Sequence, residues 1–351
     1  MYRSKEILAN LGLNAQNASQ NYSALNGKTC YGQLLETATI GLDHIQEAAQ
    51  NAPMVESIPA NGRIRRMNTE TLEMTDDGAL EFNDGQQFMV IDGKVKGLFS
   101  GRFDPYQNGD ALLDLHNALH ELGVEKTAQN IRFDNDGARM AANVFMPSFF
   151  GDFNLLEDTG EDILLGVKVR NAHDGSSALG LDVMGIRTVC LNYNLWGHKK
   201  WGVSISHTNG QMVRLWKEAL ERVRKDLNGL PEVINHAKAE VISVKDVAPI
   251  LIDAGLPTPY IVGGKRGHAK AMPRFAENLH VFNQDIAKDA TEVTLWDAYN
   301  AGTSLLTHAY QGAPQQAERM SAALGGILTA GSLDSRIAAG TKALEALVVA
   351  E

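Results

Sequence analysis

The sequence has little cysteine: Cys30 and Cys190 stand far apart and alone in a chain of 351 residues. That excludes both a disulfide framework and a cysteine-rich zinc site. Long apolar runs are missing too. The opening stretch MYRSKEILANLGLNAQNASQNYSALNG has no apolar leader segment, and no stretch reaches the length of a membrane span. The expectation is a cytoplasmic protein with no membrane partner. Nucleotide fingerprints are also absent. GLFSGRFDPYQNG and IVGGKRG are glycine-rich, yet neither is a P-loop or a Rossmann turn, which argues against a nucleoside triphosphatase or a dehydrogenase. No G-x-S-x-G elbow marks a serine nucleophile. Positive charge is short: the formal net charge is −10, against a surface coated all over for nucleic acid.

What is present is an ordinary globular composition, 44% hydrophobic and 21% charged, enough for a real core. The charge is unevenly spread. Between Glu70 and Asp162 there are 19 acids and 6 bases. Between Ile163 and Leu227 there are 10 bases and 5 acids, the bases including Lys168, Arg170, Arg187, Lys199, Lys200, Arg214 and Lys217. Such asymmetry marks a candidate polyanion face on an acidic molecule.

The pattern along the chain predicts three parts. Residues 1–80 read as an N-terminal helical arm or outer layer, with one helix in YGQLLETATIGLDHIQEAAQNA from the spacing of Leu34, Leu35, Ile40, Leu42 and Ile45. Residues 81–275 read as an α+β core domain. QQFMVIDGKVKGLF is a hairpin around Asp92-Gly93, a pair that tolerates the positive φ angles of a type I′ turn. A helix follows in DPYQNGDALLDLHNALHELG, with Asn108 or Asp110 as its cap and Gly123 as its stop. His116 and His120 lie four apart on it, but no third metal ligand is in view. IRFDNDGARMAANVFM is a second hairpin, turning at Asn135, Asp136 and Gly137.

In DILLGVKVR, apolar residues alternate with polar ones, so Lys168 and Arg170 are expected on the exposed face of a half-buried strand. LGLDV restarts the alternation, and GIRTVCLNYNLW and WGVSISHT read as third and fourth strands. The helix MVRLWKEALERVRKDL closes the unit, with Trp216, Leu220 and Val223 inward. The fold class is therefore α+β: antiparallel hairpins and a β-meander packed on helices, with a β-β-β-α core. The stretch 257–275, PTPYIVGGKRGHAKAMPRF, reads as a basic loop. Residues 276–351 read as a helical C-terminal region.

The stretch HDGSS, residues 173–177, gathers chemistry-bearing side chains. His173 and Asp174, with His207 and Cys190 from neighbouring strands, are candidates for a metal-dependent nuclease or hydrolase. The spacing matches no strong metal signature, and Asp174-Gly175 is also a turn signal. The turn reading is preferred, with Ser176 and Ser177 bonding turn amides. Basic and aromatic residues make a different combination. Trp196, His198, Lys199, Lys200 and Trp201 fall in one connection, beside the strand bearing Arg187 and the helix bearing Arg214 and Lys217. Single strands are held by cations along the backbone and by rings stacking on bases.

NAHDGSSAL, IRTVCLN, SHT before a helix, and TLWDAYNAGTSLLTH together resemble the landmarks of the uncharacterised phage/plasmid-like protein family, over about residues 160 to 310. The matching positions are His173, Asp174, Gly175, Arg187, Cys190, Asn192, His207 and Thr208, then Trp296, Asn300, Thr303 and His308. Tyr193 and Ser206 depart from the pattern. The resemblance implies a phage, plasmid or other mobile element of bacteria or archaea, and hence a host cytoplasm. More distantly, the element order is similar to phage single-strand annealing proteins, which grip DNA between a sheet and a helix.

The leading expectation is a homo-oligomeric protein that binds and anneals single-stranded DNA, or RNA, without a cofactor, a metal or hydrolytic chemistry. Lys168, Arg170, Arg187, Lys199, Lys200, Arg214 and Lys217 would hold phosphates, and Trp201 would stack on bases. His173, Asp174 and His207 would then be structural, and the other family-motif positions, Gly175, Cys190, Asn192, Thr208, Trp296 and Asn300, structural or functional. The alternatives are the nuclease and a scaffolding component of an assembly.

Overall fold

Period-two alternation over short runs, punctuated by Asp-Gly and Asn-Asp-Gly, builds antiparallel sheets. The computed structural model describes residues 39–60, 63–67, 74–81, 85–147, 149–150, 155–187, 193–195, 202–205, 212–256, 279–283, 285–310, 314–328 and 333–349. In chain order its elements are β1 (Thr39–Ile40), α1 (Asp43–Gln50), β2 (Glu56–Pro59), β3 (Arg63–Met67), β4 (Met74–Glu81), β5 (Gln86–Ile91), β6 (Lys94–Ser100), α2 (Asn108–Glu121), β7 (Ala128–Asp134), β8 (Arg139–Phe145) and α3 (Leu155–Thr159). There follow β9 (Ile163–Ala172), β10 (Leu179–Arg187), β11 (Tyr193–Leu195), β12 (Gly202–Ile205), α4 (Met212–Asp226), α5 (Leu230–Ala239), β13 (Val241–Ser243) and α6 (Val244–Asp253). The last are α7 (Leu279–Phe282), β14 (Glu292–Thr294), α8 (Leu295–Ser304), α9 (Pro314–Gly325) and α10 (Leu333–Val349).

The main sheet runs β1-β7-β8-β9-β10-β11, with β12 also on β10, and every pairing is antiparallel. A three-stranded sheet β2-β5-β6 and the pairs β3-β4 and β13-β14 make up the other strands among the described residues. The class is the α+β arrangement expected from the sequence. One strand boundary is corrected. LGLDVMGIR is a single strand, β10, so Gly185, Ile186 and Arg187 belong to it and not to the expected third strand; the remainder of the third and fourth is described at Tyr193–Leu195 and Gly202–Ile205. β11 pairs with Met184 to Ile186 and β12 with Leu179 to Asp182, so both lie one after the other along the same edge of β10. Residues 196–201 join them.

Two hairpin tips form as predicted. Asp92 and Gly93 have φ of 49° and 73°, as a type I′ turn requires, and Asn135, Asp136 and Gly137 have φ of 54°, 53° and 91°. The third tip differs. Only Gly175, φ 78°, is left-handed there, so Asp174-Gly175 is not a second type I′ pair. The tips are tied together. Asp136 accepts from Lys96 Nζ at 2.7 Å and Lys94 Nζ at 3.2 Å, which joins the small sheet to the main one.

The N-terminal helix is shorter than its apolar spacing predicted. It begins at Asp43, because Thr39 and Ile40 pair with Gln129 and Ala128 as a strand instead. Leu42 and Ile45 belong to the same core as Leu112, Leu115 and Leu119 of α2. α2 starts and stops where expected, with Gly123 at φ 70°, but its N-cap is Gln107 rather than Asn108 or Asp110. On α4 the predicted Trp216, Leu220 and Val223 are buried. α8 opens with a capping box in which Thr294 accepts from Asp297 N and Asp297 accepts from Thr294 N. The alanine-rich α10 packs on α6 of its own chain. Among the described residues, no helix is long and apolar enough to cross a membrane.

Candidate functional site

Register decides which side chains share a face. Asn130 pairs with Asn143, Asn143 with Lys168, Lys168 with Asp182, and Asp182 with Gly202. Two residues along, Arg132 pairs with Ala141, Ala141 with Arg170, Arg170 with Gly180, and Gly180 with Ser204. Since side chains alternate along each strand, both rows project from the same face. The opposite face carries Val144, Val167, Val169, Leu181 and Val183, all fully buried. Asn171 shares that apolar side, and its Nδ2 donates to Tyr106 O and Asn108 Oδ1 at 2.8 and 3.0 Å, which places the start of α2 over it.

The two rows make a charged layer. Arg170 Nε donates to Asp182 Oδ2 at 3.0 Å and its Nη1 to Ala178 O at 2.7 Å. Arg132 Nε donates to Asp134 Oδ2 at 3.1 Å. Small residues make room: a Cβ on Gly180 would come within 2.5 Å of Arg170 Nη2. Side-chain exposure rises from 4% at Asp182 and 14% at Arg170 to 20% at Arg132 and 30% at Asp134, so the layer opens towards β7. Lys168 is the deepest of the three cations, with the residue 2% exposed. Burial above all, then the charges of Arg132 and Arg170, push its amine well below the usual lysine range; Asp182 and Asp134 oppose the shift.

Lys168 and Arg170 were expected on an open face, and here the structure corrects the sequence. Every residue of β9 but Arg170 is buried, on both faces of the strand. Arg187 is displaced further from the expected role. It is 8% exposed, and its Nε donates to Glu161 Oε2 at 2.6 Å. Its Nη2 reaches Asp285 Oδ2 at 3.0 Å, while Lys238 Nζ holds the other oxygen of Glu161 at 3.1 Å. Arg187 thus ties the end of the sheet to α5 and to the segment before β14. Lys217 is half-exposed on α4, 3.6 Å from Glu121. Arg214 lies near the start of α4, with its side chain outside the described part. Lys199, Lys200, Trp201, Cys190, Asn192, His207 and Thr208 lie outside the described residues, and so does the side chain of His308.

At the HDGSS tip, the side chains diverge. His173 is fully buried on the α2 side, its backbone N donating to Ala138 O at 2.7 Å and its Nε2 lying 3.5 Å from Asn171 Nδ2. Asp174 points the other way and closes the turn, accepting from Ser176 N at 3.0 Å, Asn135 Nδ2 at 2.9 Å and Arg139 Nε. Burial pushes its carboxyl up, but the bonds from Ser176, Asn135 and Arg139 outweigh this and hold it below the usual aspartate range. Among the described residues, no group of three His, Cys, Asp or Glu side chains is placed to hold a metal ion. Trp296, Asn300 and Thr303 are buried inside α8. Asn300 Nδ2 donates to Trp296 O at 2.8 Å and Thr303 Oγ1 to Asn300 O at 3.0 Å.

The layer includes residues the sequence reading passed over: Asn130, Arg132, Asp134, Asn143 and Asp182. A signal for them existed. Arg132 and Asp134 alternate in IRFDN as Lys168 and Arg170 do in VKVR, and Asn143 interrupts the apolar run MAANVF.

Residues 96–324 match the model of a family described as a domain of unknown function, DUF932, and the chain belongs to that family. No curated protein and no solved structure matches the chain.

Proposed function

We propose that this member of the family is a single-stranded DNA binding and annealing protein of a phage or other mobile element, working as a homo-oligomer. The observation that carries the reading is the relation between the charged layer and the interrupted edge strand. Leu195 and Gly202 are held opposite Met184 and Asp182 of β10, and Asp182 pairs with Lys168; in sequence, Lys199, Lys200 and Trp201 fall between those two anchors. Cations in two adjacent rows, with lysines and a tryptophan close in sequence, suit a flexible polyanion with exposed bases. Neutralising the backbone of one strand while its bases stay accessible is enough for annealing, without acid, base or metal. RNA has the same backbone charge and is a second substrate of the same chemistry.

Arg170 and Lys217 offer partly exposed charge, and Arg214, Lys199 and Lys200 extend the set in sequence. Lys168 and Arg187, by their burial, support the neighbouring side chains. The test is fluorescence anisotropy of a labelled single strand titrated across salt, with and without magnesium. Affinity should fall linearly in logarithmic salt, leave the strand intact and drop when Lys199 and Lys200 are both changed to glutamate. No binding at low salt, or an unaltered affinity in the double variant, overturns the reading. Cleavage that needs magnesium would replace it with nuclease chemistry.

A further inference from the structure

We infer that the outer edge of β7 pairs with β7 of a second copy of this chain, joining two main sheets into one across a two-fold axis. This interface deepens the homo-oligomer of the proposed function and rests on that reading for its partner. β7 runs over Ala128–Asp134, but β1 pairs only with Gln129 and Ala128. Burial follows that cover: Ala128 and Gln129 are buried, while residues 130–134 are half-buried. Gly41 N donates to Thr127 O at 3.1 Å, in register with the pairing of Thr39 and Gln129. The odd-numbered residues of β7 therefore turn their backbone groups away from β8. Ile131 and Phe133 present N–H and C=O on that edge, beyond Thr39. Among the described residues, no strand pairs with them there. The edge of the small sheet is blocked by contrast. Ala60 N donates to Gln86 O at 2.9 Å, so Val55, Ser57 and Pro59 face outward on β2 and just before it. Gln107 engages the N and O of Val55 at 2.9 and 2.8 Å, and Pro59 has no N–H to give. Open strand edges recruit another strand, and blocks of this kind prevent it. β7 contains no proline.

Charge selects the partner and the register. Arg132 and Asp134 lie on one face of β7, and Phe133 between them on the other. Antiparallel pairing centred on Phe133 sets Arg132 opposite Asp134 of the partner subunit, and Asp134 opposite the partner subunit's Arg132. Opposite charges directly across a strand pair attract, and like charges repel. Centring on Arg132 instead would set arginine against arginine. The strand is thus complementary to itself in the register centred on Phe133, which an unrelated strand has no reason to match. On the apolar face Phe133 meets its own copy at the axis, where it and Ile131 pack against the core at its edge. A two-fold axis perpendicular to the sheet preserves its faces, so both charged layers come to lie on one side of the joined sheet.

Sedimentation equilibrium of the full chain measures self-association, and anisotropy follows strand binding separately. Asp134→Arg sets arginine opposite arginine on both sides of the axis and should weaken the dimer about tenfold, the scale of two reversed cross-strand pairs. Adding Arg132→Asp to it restores opposite signs and should return the affinity. A second readout does not depend on those charges. Phe133→Cys, with Cys30 and Cys190 changed to serine, should join two copies by a disulfide on oxidation, whereas Ile131→Cys in the same background should not. A monomer overturns the interface, and so does an oligomer that neither follows the charges nor crosslinks at position 133; strand binding retained in either leaves the nucleic-acid reading standing. Crosslinking at position 131 in place of 133 overturns the register. A dimer that follows the charges and crosslinks at 133 but binds no strand upholds the interface and overturns the nucleic-acid reading.

Discussion

The guanidinium of Arg170 lies over Gly180, its cross-strand partner, so closely that a Cβ there would come within 2.5 Å of Nη2. From this position Arg170 reaches diagonally to Asp182, the cross-strand partner of Lys168. A hydrogen rather than a methyl at position 180 leaves this guanidinium its room. Gly180→Ala should push the guanidinium aside and, because the end of a flexible side chain can yield, lower strand affinity at fixed salt while moving the chemical denaturation midpoint little. A loss above about 1 kcal/mol would show that the arginine has no other resting place.

Arg187 makes a different prediction from the surface cations. Its side chain is 10% exposed and that of Glu161 5%, so Arg187→Met leaves a buried carboxylate with only Lys238 to balance it. Breaking such a pair costs on the order of 3 kcal/mol. Thermal unfolding should show a large drop in midpoint, while binding by the fraction that stays folded should keep its salt dependence. A lost salt dependence at full stability would return Arg187 to the phosphate-contacting set.

The turn aspartate predicts an acid-side effect. The folded state holds the Asp174 carboxyl below its ordinary value despite burial, through the bonds from Ser176, Asn135 and Arg139. Ionised Asp174 therefore adds stability above the ordinary aspartate value, and that contribution is lost as the pH falls through the lowered folded value. Denaturant midpoints measured from neutral to acidic pH should decline less steeply in Asp174→Asn. The same variant should bind single strands like the parent, since the Asp174 carboxylate closes a turn.

At the C-terminal end, α10 crosses α6 at Gly340, where a Cβ would fall 1.9 Å from Pro249 O. Backbone oxygen cannot move aside as a side chain can. Gly340→Ala should force the helices apart and destabilise the chain by about 1–3 kcal/mol or more. Limited proteolysis should then cut α10 faster than in the parent. Equal rates would mean that the helix docks without this contact.

Local chemistry was legible in the sequence wherever it acts alone. The left-handed tips at Asp92-Gly93 and Asn135-Asp136-Gly137 follow from residues that tolerate positive φ, and the buried stripe of α4 follows from helical spacing. The β9 alternation was likewise correct in period. What it could not tell was what lies over each face, so Lys168 was placed in water when it is buried. Partnership across the sheet was beyond the sequence as well. Arg132 and Arg170 are 38 positions apart, and only the register through β8 sets them in one row. Thr39 and Ile40 continue a helical pattern in sequence but take a strand, because pairing with β7 satisfies their backbone at the sheet edge. Short-range sterics are written in neighbouring residues. Burial, register and charge pairing are properties of distant ones, and tertiary packing alone brings them together.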